Sequence, residues 1–152
     1  MTIFRLQTLL LIVAVIVLTL TLALPLGSIV SLNDGMVEAK LFNLVAVTTE
    51  GQYSFKSWYF FADLCLADIT ALIAIFIYQK ERLLTQAMLC IVSIVLVLCW
   101  YVLIAIFPNG LGARVDYDLW IALPMIAVVA LFFARKRILA DRKTLRSYDR
   151  IR

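Results

Sequence analysis

The sequence predicts an all-α membrane protein: a four-transmembrane-helix bundle with a small three-stranded antiparallel β meander in the outer loop between helices 1 and 2. Three observations predict it. Of 152 residues, 64% are hydrophobic and 16% charged, with a mean hydropathy of +1.02, against about 45–50% apolar and about 25% charged in soluble domains. Four segments supply the roughly 20 predominantly apolar residues that a helix needs to cross a hydrocarbon core about 30 Å thick with its backbone polar groups paired. The 14 lysines and arginines fall unevenly between the connecting segments. The chain, 1–152, reads as a single integral membrane domain.

The first span covers residues 4–24. Its apolar run is longer than the about 7–15 residues of a signal h-region, so it reads as a retained helix. Residues 27–57 then change to alternation and turn chemistry. Ser28–Leu32 (SIVSL), Lys40–Thr48 (KLFNLVAVT) and Gln52–Lys56 (QYSFK) are rich in β-formers, separated by Asn33-Asp34-Gly35 and Thr49-Glu50-Gly51, which are turn formers. The meander is a cap over the bundle or a docking face for a partner.

The second and third spans cover 58–78 and 83–107, joined by a short basic link. A turn-rich outer loop, 108–118 (PNGLGARVDYD), leads to the fourth span, 119–138, in whose outer turns Pro124 is placed to cause a kink. The tail, 139–152, has no proline or glycine and reads as a helical continuation with a basic face. Arg137 with Asp141 and Arg146 with Asp149 are spaced to support it.

Three basic residues, Lys40, Lys56 and Arg114, lie in the two outer loops; the other eleven lie at the termini and the central link. That asymmetry predicts cytoplasmic N and C termini. Arg135, Lys136, Arg137, Arg142, Lys143, Arg146, Arg150 and Arg152 form a surface for anionic lipid or a protein partner. Trp58, Trp100 and Trp120 fall near the outer ends of their spans, as interfacial anchors. No histidine is present, and Cys65, Cys90 and Cys99 lie within spans; imidazole metal sites, bis-histidine haem and a disulfide framework are excluded, and no cofactor or metal is expected. Nucleic-acid binding lacks stacking groups and a recognition module.

The candidate polar site within the membrane comprises Asp68, Ser93 and Asp63. Asp68 lies near the middle of the second span, level with Ser93 on the third. A central intramembrane carboxylate costs about 2.5–3.5 kcal/mol on insertion scales, so it faces the bundle or a wet cavity. Three roles fit: a neutral acid bonded to Ser93, a contact with a subunit or substrate, or a proton relay. Asp63 lies nearer the outer surface, level with Tyr101 and with Thr19 or Thr21, and within reach of Arg114 or Lys56 as an interfacial charge. Five residues apart on a helix, the two acids point about 140° apart and form no paired carboxylate site.

Two separated stretches carry a resemblance. MTIFRLQTLLLIVA contains Arg5-Leu6-Gln7-Thr8 running into the first span, and the chain ends Arg146-Ser147-Tyr148-Asp149-Arg150-Ile151-Arg152. Together with YQKERLLTQ, Tyr78–Gln86, these resemble the small four-pass inner-membrane proteins of Bacteroidota grouped as domain of unknown function 4293. The positions that carry the match are Arg5, Gln7, Ser147 and Asp149, whereas Arg137 and Ala140 depart from the pattern. The resemblance implies four membrane helices with both termini inside and a bacterial cytoplasmic (inner) membrane location, and supplies no activity. A polar cluster of Arg5 and Gln7 with Glu81 is expected to fix helix order.

The functional expectation is a non-enzymatic accessory or assembly subunit of a larger bacterial inner-membrane complex, with the lipid bilayer and other membrane subunits as partners and room for a homo-oligomer. The alternative is a small proton-coupled transporter or permeation unit using Asp68; its single mid-depth acid and the lack of paired helix breakers or an internal repeat speak against it. Asp63, Tyr53 and Arg114 are too generic a set for a membrane enzyme.

Overall fold

The computed structural model of the protein describes residues 6–30, 37–77, 82–111 and 114–149. Four long helices dominate it: α1 (Leu6–Ala23), α2 (Trp58–Phe76), α3 (Leu83–Leu111) and α4 (Leu123–Asp149). Each contains a stretch long and apolar enough to cross a membrane. They form a closed ring in which α1 packs on α2 and α4, and α3 packs on the same two neighbours.

The ring is held by a narrow stripe on each helix. In α1 the buried residues are Gln7, Leu11, Ala14, Leu18 and Thr21, spaced alternately four and three apart as helix packing requires. In α2 the stripe contains Ala67, Ala71 and Ala74, and α4 contributes Ala127, Ala130 and Ala134. Small side chains let helix backbones approach closely where lipid gives no hydrophobic drive for association. Other large side chains point outward: Leu9, Ile16, Leu66, Ile73, Val95 and Phe132 are all exposed on the ring's perimeter. Only 28–33% of each candidate span is buried, which leaves most of the surface for acyl chains.

One end of the ring carries a five-stranded antiparallel sheet, ordered β4-β3-β2-β1-β5. The strands are β1 (Gly27–Val30), β2 (Val37–Leu41), β3 (Ala46–Thr48), β4 (Tyr53–Ser54) and β5 (Arg114–Tyr117). The expected three-stranded meander is corrected in two ways. The stretch Lys40–Thr48 is two strands, because the chain turns at residues 42–45, where the Phe42 amide donates to the Val45 carbonyl at 2.9 Å. The fifth strand comes from the loop between α3 and α4, and pairs along β1 from Gly27↔Tyr117 to Val30↔Arg114. The segment Gln52–Lys56 forms only a two-residue strand before a 3-10 turn, Phe55–Ser57, leads into α2. The turn expected at Asn33-Asp34-Gly35 lies outside the described residues.

Alternation gives the sheet one buried face: Gly27, Ile29, Ala39, Leu41, Ala46 and Val115, set opposite one another by the register. Gly27 is required by close approach. A Cβ at this position would overlap the Asp116 carbonyl oxygen and press on Tyr117 Cα, so no other residue lets β5 lie against β1.

Both prolines of α3 and α4 are accommodated. Pro108 has no N–H to offer the Ile104 carbonyl four residues back, and the Tyr117 hydroxyl donates to that oxygen at 2.7 Å instead. Pro124, expected to kink the outer turns of the fourth span, stands where that span passes from a 3-10 turn into α-helix. A 3-10 turn, Leu119–Ala122, precedes α4, and Pro124 sits in the first turn of α4, where a missing N–H costs little. The Tyr101 hydroxyl donates to the Ile121 carbonyl at 2.8 Å. α4 then continues as helix through Asp149, as the absence of breakers predicts.

Candidate functional site

Asp68 is set by α2 into the seam with α1. It is 9% exposed, and Thr19 Oγ1 lies 3.1 Å from its Oδ2. Its Oδ1 is buried and has no hydrogen-bond partner among the described residues. The Thr19 side chain itself is on the exposed side of α1, so the pair lies just beneath the perimeter of the ring.

The expected Asp68–Ser93 bond is not made. Ser93 is fully buried, and its hydroxyl donates to the Ala67 carbonyl at 2.9 Å. The reason is rotational: neighbouring helix positions differ by about 100°, so the backbone at Ala67 meets α3 while the side chain of Asp68 meets α1. Both the face of α2 and the depth of α1 beside it differ from the expectation. Thr19, matched by depth to Asp63, belongs to Asp68.

Asp63 is half-buried, and its Oδ2 is enclosed without a partner among the described residues. The cation expected to reach it is engaged elsewhere. Arg114 Nε donates to Asp116 Oδ1 at 3.0 Å on the surface of β5, where both side chains are largely exposed. The Lys56 side chain lies outside the described residues. Among the described residues, no cluster of three or more metal-ligating side chains occurs.

At the end of the ring away from the sheet, Gln7 and Gln86 are 2% and 1% exposed. Gln86 Nε2 donates to the Ala74 carbonyl at 2.8 Å, satisfying one of the carbonyls that the last turn of α2 leaves open. Both amide atoms of Gln7 are buried without a partner among the described residues. Arg5 and Glu81, the expected companions of Gln7, lie outside the described residues, as do Arg150, Arg152 and the side chains of Arg146 and Asp149. Along α4, Lys136, Arg137 and Lys143 are exposed, and Arg135 and Arg142 are half-buried. Ser147 is exposed and donates to the Thr144 carbonyl at 2.7 Å.

A further polar node joins the sheet to the helices. Asn43, in the turn between β2 and β3, is fully buried; its Nδ2 donates to the Thr21 carbonyl at 2.6 Å and its Oδ1 accepts from Trp100 Nε1 at 3.1 Å. Trp100 is therefore not an interfacial anchor: it is 0% exposed, whereas Trp58 and Trp120 are 61% and 48% exposed. The available signal for this node was an asparagine in the middle of a run of β-formers, a residue type that favours turns.

Four candidate membrane spans arranged as a ring define a multi-pass membrane protein. The chain belongs to the family described as Domain of unknown function (DUF4293), whose profile matches residues 3–151. That match covers Arg5, Gln7, Ser147, Asp149 and the link between α2 and α3, through which the resemblance is read. No curated protein matches the chain.

Proposed function

We propose that this protein is a non-enzymatic accessory or assembly subunit of a larger bacterial inner-membrane complex, with both termini in the cytoplasm and the sheet on the opposite side. The observation that carries the reading is how the buried polar side chains are used. Ser93, Gln86, Asn43 and Trp100 each spend their bonds joining one segment to another, and among the described residues no nucleophile, base and orienting group converge. The distribution of basic residues supports the orientation, and the exposed cations of α4 suit anionic lipid or an acidic subunit.

Gentle detergent extraction of a tagged chain followed by mass spectrometry tests the proposal. It expects stoichiometric membrane partners; a clean monomer or homodimer overturns it. Proton-linked flux in liposomes that Asp68→Asn abolishes would instead establish the transporter reading. The orientation is tested separately with a fluorescent-protein fusion after Arg152, which is expected to fluoresce as a cytoplasmic reporter does.

A further inference from the structure

β5 forms one edge of the sheet, and among the described residues no strand pairs with its outer side. The phase of its ladder fixes which backbone groups are left there. The Asp118 amide donates to the Leu26 carbonyl at 2.9 Å, and bonding alternates along an antiparallel pair. Asp116 and Arg114, opposite Ser28 and Val30, therefore turn their backbone groups toward β1, and Val115 and Tyr117 turn theirs away from it. The other edge, β4, is a strand of two residues, too short to template a partner. β5 has four residues, no proline and an unbroken register.

Its side chains alternate as well. Val115 is buried, while Arg114 and Asp116 share the outward face, 73% and 54% exposed and joined at 3.0 Å. Charge on an edge strand ordinarily keeps other strands away. A cation and an anion two residues apart do not keep away a copy of themselves. When a second β5 runs antiparallel with Val115 opposite Val115, each Arg114 lies opposite the other copy's Asp116. The backbone phase suits the same register, because the outward N–H and C=O of the two valines can exchange both bonds. Arg114 and Asp116 then form the non-hydrogen-bonded pairs, in which side chains stand closest. Such a contact is isologous and closes at two copies. Its axis stands perpendicular to the sheet, whose buried face meets the helices, so both copies keep one orientation in a bilayer.

We propose that β5 is a homodimerisation edge: two copies join their sheets through antiparallel β5 strands centred on Val115, with Arg114 and Asp116 as reciprocal charge pairs. Copies that pair in this way without any other subunit would overturn the accessory role and leave the paired edge standing.

Two differently tagged full-length copies, coexpressed and extracted in gentle detergent, test it. Wild-type copies are expected to copurify. Arg114→Asp sets aspartate against aspartate and Asp116→Arg sets arginine against arginine, so neither variant is expected to copurify with itself. Mixed with each other, the two variants again place opposite charges across the pair, although each chain has lost its own Arg114–Asp116 contact, and copurification is expected to return. Wild-type copies that stay apart, variants that each self-associate as the wild type does, or a mixed pair of folded chains that stays apart overturn the proposal. Should a charge variant not fold, a disulfide decides. Coexpressed Arg114→Cys and Asp116→Cys are expected to give an oxidised heterodimer, read by the two tags, that neither variant forms with itself. Its absence, or a different protein captured in its place, overturns the proposal.

Discussion

At the scale of single residues, two positions carry consequences out of proportion to their size. Gly27→Ala puts a methyl group into the β5 backbone; the strand must retreat, and a loss of about 1–3 kcal/mol is expected from overpacking, read as a lower unfolding midpoint in detergent. Asn43 and Trp100 share one buried bond, and removing either partner strands the other at about 1–3 kcal/mol. Asn43→Ala and Trp100→Phe are therefore expected to be non-additive in a double-mutant cycle, the double variant losing clearly less than the sum. A sum that is simply additive removes the node from the account of stability. Residue identity was the weakest guide to these roles. Counting along the spans puts Ser93 level with Asp68 and Thr19 level with Asp63; finding Thr19 against Asp68 needed both the rotation of α2 and the depth of α1 beside it. Trp100 carries the same chemistry as Trp58 and Trp120, and only its packing separates a buried donor from two exposed rings.

At the scale of elements, the spans were legible because length and apolarity decide them. Their packing stripes were not, because apolar residues cover both faces: Leu11, Leu18, Phe60, Leu64 and Leu131 are buried, while Leu9, Leu66 and Phe132 lie on the perimeter. β5 was hidden for another reason: four residues in a turn-rich loop carry little periodicity, and their pairing partner lies at Gly27–Val30, far away in sequence. Tyr117 ties this strand to α3 by donating to the carbonyl that Pro108 leaves open. Tyr117→Phe is expected to cost about 1 kcal/mol, the ordinary net worth of one such bond. Hydrogen exchange should locate the effect in the amides of the last turns of α3 and along β5; protection that falls evenly over the molecule would contradict it.

At the scale of the whole molecule, the five-stranded sheet joins what chain order separates. A cut in the link between α2 and α3 gives one piece with α1, β1–β4 and α2, and another with α3, β5 and α4. The pieces would still share the β1–β5 ladder and the α1–α4 and α2–α3 packing. Coexpressed as 1–80 and 81–152, they are expected to copurify and to separate when Gly27→Ala is introduced. Independent purification of the unsubstituted pieces would refute that dependence. The same geometry bears on how the protein is made. Until the last two helices emerge and insert, β1 is an open strand edge with its backbone donors and acceptors unmet, which is a template for the wrong partner. Translation order thus leaves the first half exposed to mispairing for as long as the second takes to arrive, and a surveillance protease or membrane chaperone would find its target there.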